Sequence, residues 1–314
     1  MDNAARKSNV ALLSVISNST LVIMKLAIGL VIGSVSVISE AIHSGVDLLA
    51  AIIALFAVRT SGQPADREHP FGHGKIENIS GTVEALLIFL AAGWIIWEAV
   101  NKLLHPHPLK SLGWGVGVML ISALANLFVS HMLFKVGRQT DSVALQADAW
   151  HLRTDVYTSA GVMTGLALIW LAEAAFPGEH FHWIDPVAAI LVAMLIIRAA
   201  YELTIKSGRD LLDVSLPDDE EQWIRDYLAK VDSVKGFHCL CTRKAGSERF
   251  IEFHLLVDPN MSVQESHRIT DEVTQGIREQ YEGSAVTIHI EPCDGKCGSD
   301  CSQSRECSGR ISKD

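Results

Sequence analysis

Residues 36–58 read SVISEAIHSGVDLLAAIIALFAV, an apolar run that also contains Glu40, His43 and Asp47. A helix needs about 20 predominantly apolar residues to cross a bilayer, and this run is long enough. Five other stretches have the same character, so the sequence predicts six transmembrane helices. In chain order the six segments are Asn9–Gly33, Ser36–Val58, Ile79–Leu104, Trp114–Val136, Val143–Ala175 and Pro186–Ile205.

The composition changes along the chain. Of the 314 residues, 49% are hydrophobic, and they lie mostly before about Leu212, whereas the remainder is polar and rich in His and Cys. We predict a six-helix membrane domain over 1–212, a small α+β domain over 213–292 and a Cys-rich tail over 293–314. The net charge of −10 disfavours nucleic acid as a partner, because contacts to phosphates need a basic surface.

Basic residues flank the six segments unequally. One side carries Arg6, Lys7, Arg59, Arg67, Lys75, Lys135, Arg138, Lys206 and Arg209, and the other carries only Lys102 and Lys110. Because Lys and Arg accumulate on the cytoplasmic side of membrane proteins, we predict a multi-pass protein with both termini in the cytoplasm.

Two octets inside predicted helices share one plan. The second segment contains EAIHSGVD from Glu40 to Asp47, and the fifth contains DAWHLRTD from Asp148 to Asp155. Each octet has an acid, an Ala, any residue, a His and then an Asp four positions after that His. Residues four apart lie on one helical face, so the sequence predicts two helices that present the same face to each other.

The octets offer two imidazoles and two carboxylates, from His43, Asp47, His151 and Asp155. This nitrogen and oxygen donor set suits tetrahedral Zn²⁺. Charged side chains are expensive near the bilayer centre, so a cation would explain them. The alternative is that these groups only hydrogen-bond across helices and specify packing. Imidazole and carboxylate must lose protons to bind metal, so metal and protons would compete for one site.

Arg153 is a charged residue inside the fifth predicted helix. Arg153 sits between His151 and Asp155 on the fifth helix and either lines an aqueous cavity or pairs with an acid such as Glu84.

The loop between the second and third helices reads DREHPFGHGK from Asp66 to Lys75. Asp66, His69 and His73 have ligand-like spacing in it, and the glycines allow the backbone to fold around an ion. Short loops with two His residues also occur without metal.

The C-terminal region predicts the order helix, strand, strand, helix, strand. Its segments are Asp218–Val231, Val234–Arg243, Arg249–Val257, Ser262–Tyr281 and Ala285–Ile290, with a hairpin turn at residues 244–247. The fold class is therefore a polytopic α-helical membrane domain with six transmembrane helices, followed by a small cytoplasmic α+β domain of αββαβ, metallochaperone-like order.

Histidines fall on nearly every element of this small domain. His238, His254, His267 and His289 favour a metal site, although any one of them could simply lie in solvent, and Glu291 follows the last. Cys239 and Cys241 are two apart on a predicted strand and so would share a face, either in a thiol cluster or in the core. The tail thiols Cys293, Cys297, Cys301 and Cys307 are either a zinc site or part of a disordered tail with weak metal capture.

With these motifs the chain resembles the cation diffusion facilitator family of metal/proton antiporters, over about residues 8–292. The Phe71-Gly72-His73-Gly74-Lys75 core is specific to that family. The resemblance implies a transport site at His43, Asp47, His151 and Asp155, of the zinc-preferring kind, with Fe, Co, Ni or Cd as other cargoes. It also implies loop metal at Asp66, His69 and His73 and a metal-bridged homodimer through His238, His254, His267 and His289. The family often has Asp where this chain has Glu291.

The expected function is efflux of divalent cations, Zn²⁺ above all, in exchange for protons across the bacterial inner membrane. A membrane metal sensor or store would use the same ligands without moving ions. A metalloenzyme is disfavoured, because the sequence has no His-Glu-x-x-His motif. An ATP-driven pump is disfavoured too, because the sequence has no phosphate-binding Gly-x-x-x-x-Gly-Lys-[Ser/Thr] loop.

Overall fold

The computed structural model describes residues 3–32, 35–104, 113–175 and 183–293. The chain divides into two compact units, Met1–Gly208 and Arg209–Asp314. Each unit has its own hydrophobic core.

The described residues of the first unit form six long helices, which confirms the predicted number. They are α1 (Asn3–Ile32), α2 (Val35–Ser61), α3 (Lys75–Leu104), α4 (Gly113–Gln139), α5 (Val143–Ala175) and α6 (Ile184–Leu211). Among the described residues, all of these except α5 contain a stretch long and apolar enough to cross a membrane.

Helix α5 packs between two apolar clusters. Ala149 and Leu152 lie in a cluster with residues of α1, α2 and α4. Val143 and Ala147 lie in a second cluster with residues of α3 and α6. The small side chains of Ala147 and Ala149 allow helix backbones to approach closely, as in other membrane bundles. Large apolar side chains such as Phe56 are exposed on the outer faces, where lipid would contact them.

A buried ion pair joins α1 and α3 near their beginnings. Lys7 Nζ donates to Glu77 Oε1 at 2.8 Å, and the Glu77 side chain is fully buried. Ser61 at the end of α2 donates to the same oxygen at 2.8 Å, and Ser142 before α5 donates to Oε2. One carboxylate therefore receives hydrogen bonds from three other parts of the helical unit.

The second unit contains α7 (Asp218–Leu228), β1 (Gly236–Ala245), β2 (Glu248–Val257), α8 (Val263–Gln280) and β3 (Ala285–Pro292). The sheet order is β1-β2-β3, with β1 antiparallel and β3 parallel to β2. The αββαβ order is confirmed. The hairpin is tighter than predicted, because Lys244 and Ala245 belong to β1 and only Gly246, at φ 60°, and Ser247 connect the strands.

The two helices cover one face of this sheet. Ile224 of α7 and Val273 of α8 form one apolar cluster with Ile251, Phe253 and Leu255 of β2. Side chains alternate between the faces of a strand. The even-numbered residues of β2, including His254, therefore lie on the opposite face.

We predict that Glu77→Ala destabilises the protein strongly, because it leaves the buried Lys7 ammonium without this carboxylate. Breaking a buried ion pair by removing one partner typically costs about 3–5 kcal/mol. The matched control is Glu202→Ala on α6, whose partner Arg198 lies at 3.0 Å in a pair with side chains 79% and 57% exposed. Exposed pairs contribute about 0–1 kcal/mol. Thermal unfolding in detergent measures both, and equal shifts would contradict the structural role of Glu77.

Candidate metal sites

The first candidate site lies where α2 meets α5. His151 Nε2 is 3.2 Å from Asp47 Oδ1, and both residues are almost completely buried. His151 Nδ1 is buried and makes no hydrogen bond within the described part of the chain. The two predicted octets therefore contact each other through a His of one and an Asp of the other.

Of the two other predicted ligands of this site, the structure describes the side chain of Asp155 but not that of His43. Asp155 lies one turn after His151 on α5, and its Oδ2 accepts a hydrogen bond from Asn126 Nδ2 of α4 at 3.3 Å. His43 lies on α2 one turn before Asp47, and its side chain is outside the described residues. Sequence reasoning missed Asn126, although an amide in the middle of an apolar segment is a usable signal.

Arg153 contacts α4. Its Nε donates to Ser130 Oγ at 3.0 Å, and its guanidinium lies 5.6 Å from the centre of the Phe134 ring. The pairing with Glu84 that the sequence raised is wrong, because Glu84 Oε1 accepts from Ser80 at 3.1 Å and Oε2 makes no hydrogen bond among the described residues. Asp148, the first residue of its octet, is also fully buried.

The second candidate site is the loop before α3. Asp66, His69 and His73 each place one donor atom within 4.8 Å of the others. His73 Nε2 lies 3.4 Å from Asp66 Oδ2, and its Nδ1 is buried without a hydrogen bond in the described structure. Gly72, at φ 83°, allows the turn that brings the two imidazoles to 4.5 Å between ring centres. The loop residues that the sequence predicted do come together.

The loop also prepares its carboxylate for a cation. The backbone N–H of His69, at 2.6 Å from Asp66 Oδ1, is the largest influence on the pKa of Asp66 and lowers it. The backbone N–H of Glu68 and the neighbouring imidazoles lower that pKa further, so it stays below its ordinary value. Asp66 is therefore ionised at neutral pH, with Oδ2 directed to His73.

The third candidate site is a row of imidazoles on the open face of the sheet. His238 of β1 pairs with His254 of β2, and His254 pairs with His289 of β3. The ring centres are 5.0 Å and 4.8 Å apart along this row. The pairing register places three predicted ligands side by side, although they are far apart in the chain.

Glu291 joins these imidazoles. Its Oε2 is 2.9 Å from His238 Nε2, and its Oε1 is 2.9 Å from His254 Nδ1 and 3.6 Å from His289 Nε2. Partial burial by itself would raise the pKa of Glu291, but the hydrogen bond from His238 and the nearby imidazoles lower it below its ordinary value. Glu291 lies on β3 and its carboxylate reaches His238 on β1, which the long side chain of Glu makes possible.

His267 and the cysteines are placed differently from these residues. His267 lies on α8, where its exposed ring is 3.8 Å from Asp271 Oδ2, so its role as a ligand stays a prediction. Cys239 is buried and Cys241 is exposed, so the expectation that they share one face is wrong. The tail cysteines Cys297, Cys301 and Cys307 lie outside the described residues.

Comparison with known proteins identifies the class. Residues 11–212 match the cation efflux transmembrane domain, and residues 216–293 match the cytoplasmic domain of cation efflux proteins. The chain belongs to this family and is a multi-pass membrane transporter that exports divalent metal cations. The matches also identify it as a transporter and not an enzyme.

Two relatives that match most of the chain agree with this class. The chain is 38% identical to the "Uncharacterized transporter sll1263" of Synechocystis sp. over 270 residues, 86% of this chain and 85% of that protein. It is 32% identical to the "Cation-efflux pump FieF" of Salmonella newport over 286 residues, 91% and 93% of the two chains. A solved structure of CzrB, described as a candidate zinc transporter, is 37% identical over 25% of this chain and 99% of its own, with a TM-score of 0.25.

We predict that Zn²⁺ binds both the loop and the row of imidazoles. Crystals soaked in Zn²⁺ and measured at the zinc absorption edge should show anomalous density at both places, because each gathers the nitrogen and oxygen donors that Zn²⁺ accepts as ligands. His69→Ala with His73→Ala should remove the loop peak alone. The exposed His131→Ala on α4 is the control and should keep every peak. A loop peak that persists in the double variant would contradict the assignment.

Proposed function

We propose that this transporter exports Zn²⁺ from the cytoplasm in exchange for protons. The cargo ion is held by His43, Asp47, His151 and Asp155, and other divalent ions such as Fe²⁺, Co²⁺, Ni²⁺ and Cd²⁺ are weaker cargoes. The observation that carries the proposal is the 3.2 Å contact between Asp47 and His151, buried between the two helices that hold the octets. The membrane is the bacterial inner membrane, with both chain termini in the cytoplasm.

The donor types support zinc as the preferred cargo. Two imidazoles and two carboxylates can form the four-coordinate site that Zn²⁺ favours, and the octets contain no thiol. Thiolates are the softer ligands and select soft metals. A cargo site with only nitrogen and oxygen ligands therefore binds zinc less tightly than a thiolate site would, so the ion can be released.

The same donors support exchange with protons. Each ligand must be deprotonated to bind metal, so a proton that arrives at His151 or Asp47 competes with Zn²⁺. His151 has one nitrogen near Asp47 and one buried nitrogen without a hydrogen bond in the described structure. The second nitrogen is therefore available to bind a metal ion or a proton. Membership in a family of efflux transporters favours transport over the alternative of a membrane sensor or store.

The charge loss in Asp47→Asn or Asp155→Asn should abolish zinc transport while the protein still folds, because Asn keeps the shape and loses the anionic ligand. Changes outside the ligand shell alone typically cost about 10–100-fold, so we expect a fall of about 100-fold or more in initial uptake rate. Proteoliposomes with an internal zinc dye give the rate, and a panel of divalent metals gives the selectivity.

The control for these variants is Glu202→Gln, which also removes one acid from the helical unit but at an exposed position of α6. It should transport at the parental rate. Robust zinc flux through either Asp variant would remove the α2–α5 site from the transport path. Parental protein that binds zinc without uptake would favour the sensor or store.

Coupling to protons predicts opposite responses to acid on the two sides of the membrane. Acidifying the side that receives zinc should speed transport, because protons displace the ion there, and acidifying the loading side should slow it. An ordinary His titrates near pH 6.5, so the effect should fall between about pH 5.5 and 8. Vesicles with equal pH on both sides are the control, and flux indifferent to the gradient would contradict antiport.

The C-terminal domain forms the contact of a homodimer in this proposal, and metal at the row of imidazoles strengthens that contact. A ligand that binds the dimer more tightly than the monomer must raise the dimer fraction by mass action. Sedimentation of the full-length protein in detergent should therefore show more dimer with Zn²⁺ than with a chelator. The variant His238→Ala with His254→Ala should lose this difference, and identical sedimentation of the parent in both conditions would oppose the proposal.

A further inference from the structure

The strand β1 contains a bulge beside the row of imidazoles. His238 pairs with His254, but the next aligned pair is Cys241 with Glu252, so Cys239 and Leu240 together face the single residue Phe253. Two residues opposite one is the arrangement of a β-bulge, which interrupts the alternation of side chains and redirects them. The bulge explains why Cys239 and Cys241 lie in different surroundings.

Cys239 adopts an uncommon backbone conformation at this bulge. Its φ is 53°, in the left-handed region that residues with a Cβ atom usually avoid. Conformations of this kind persist where the surrounding structure enforces them, and they concentrate at functional sites. The left-handed conformation of Cys239 therefore makes the bulge a candidate functional feature.

The conformation places the thiol among metal-binding groups. Sγ of Cys239, one nitrogen of His238 and one nitrogen of His254 lie within 4.8 Å of one another. Adjacent residues on a regular strand point to opposite faces, so His238 and Cys239 can share a site only because of the bulge. Glu291 adds its two carboxylate oxygens, with Oε2 2.9 Å from His238 Nε2 and Oε1 2.9 Å from His254 Nδ1.

The Nδ1 atom of His254 makes no hydrogen bond within the described structure. His254 Nδ1 is buried and 2.9 Å from Glu291 Oε1, yet the geometry is not that of a hydrogen bond. A nitrogen and an oxygen that lie this close without a hydrogen bond between them can both bind one cation. The donors present are two imidazoles, one thiol and one carboxylate, a set that fits a four-coordinate soft or borderline metal.

We propose that Cys239 is a thiolate ligand of the metal site on the sheet and makes this site selective for thiophilic ions such as Zn²⁺ and Cd²⁺. The inference rests on the proposed function only in that this site binds metal. The thiolate distinguishes a retained ion from the cargo, because the α2–α5 site has nitrogen and oxygen donors alone. The sheet site holds its ion while the membrane site exchanges one.

The test uses the full-length protein with the four tail cysteines, Cys293, Cys297, Cys301 and Cys307, changed to Ser. Of the six cysteines in the chain, Cys239 and Cys241 then remain. The protein is stripped with a chelator, kept reduced without added thiol, and titrated with Cd²⁺. A thiolate bound to Cd²⁺ gives an ultraviolet charge-transfer band, and neither the α2–α5 residues nor the loop residues can produce it, because neither set contains Cys.

The decisive variant adds Cys241→Ser, which leaves Cys239 as the sole cysteine. We expect the charge-transfer band to remain, at one thiolate per protein, and to be lost when Cys239→Ser is made instead. Cys241 is the matched control, since it lies two residues away on the same strand but is exposed and outside the group of donors. We also expect Cys239→Ser to weaken Cd²⁺ binding at this site by about tenfold or more, and to leave Mn²⁺ binding nearly unchanged.

The outcomes separate this inference from the transport proposal. A sole-cysteine Cys239 protein without the band overturns the inference, and this result does not depend on whether Cys239→Ser folds. A band that survives Cys239→Ser, or one lost with Cys241→Ser, overturns it as well. Zinc uptake is measured on the same preparations. Asp47→Asn should abolish uptake and leave the band intact, whereas a parent with the band and no uptake contradicts the transport proposal alone.

Discussion

Charged groups inside a helical membrane domain must be compensated, and this constraint organises the first unit of the structure. Glu77 is matched by the Lys7 ammonium, Asp47 contacts His151, and Arg153 donates to Ser130. Each of these contacts joins different helices, so the polar residues specify which helices meet. The apolar clusters then surround α5, the helix with the charged octet, on two sides.

These buried charged groups differ in how many hydrogen bonds they make. We interpret the fully bonded group as structural and the incompletely bonded pair as functional. Glu77 accepts hydrogen bonds from three side chains and is fully satisfied. His151 and Asp47 share a single 3.2 Å contact, and the other His151 nitrogen makes no hydrogen bond within the described residues. A native structure rarely leaves a buried polar atom unsatisfied without a reason. The incomplete pairing at α2 and α5 is consistent with a site whose occupant comes and goes.

In the second unit, strand register brings polar side chains from distant parts of the chain together, as helix packing does in the first unit. Three histidines from three strands form one row, and Glu291 reaches two of them at 2.9 Å. The helices cover the other face, so the row is left open beside a well-packed core. With Cys239 as the proposed thiolate ligand, the two units differ in the softness of their donors. The unit that moves ions would bind them loosely, and the unit that joins subunits would retain them.

Local patterns in the sequence determined much of this protein. Apolar runs gave all six long helices, the spacing of four in the octets gave the shared faces, and the αββαβ order followed from periodicity and capping, including the Ser262 cap on α8. These features depend on neighbours within a few residues, so one chain segment contains the information. The predicted loop residues also came together for this reason, since Asp66 and His73 are close in the chain.

Only the tertiary structure decided which distant residues meet. The contact of His151 with Asp47, the Asn126 hydrogen bond to Asp155 and the Ser130 partner of Arg153 depend on helix packing between segments far apart in sequence. The row of His238, His254 and His289 depends on strand register. At Cys239 the alternation rule predicted the wrong face, because a bulge breaks the period of two and no local residue pattern announces it. Periodicity sets the face of a side chain, whereas long-range packing selects its partner.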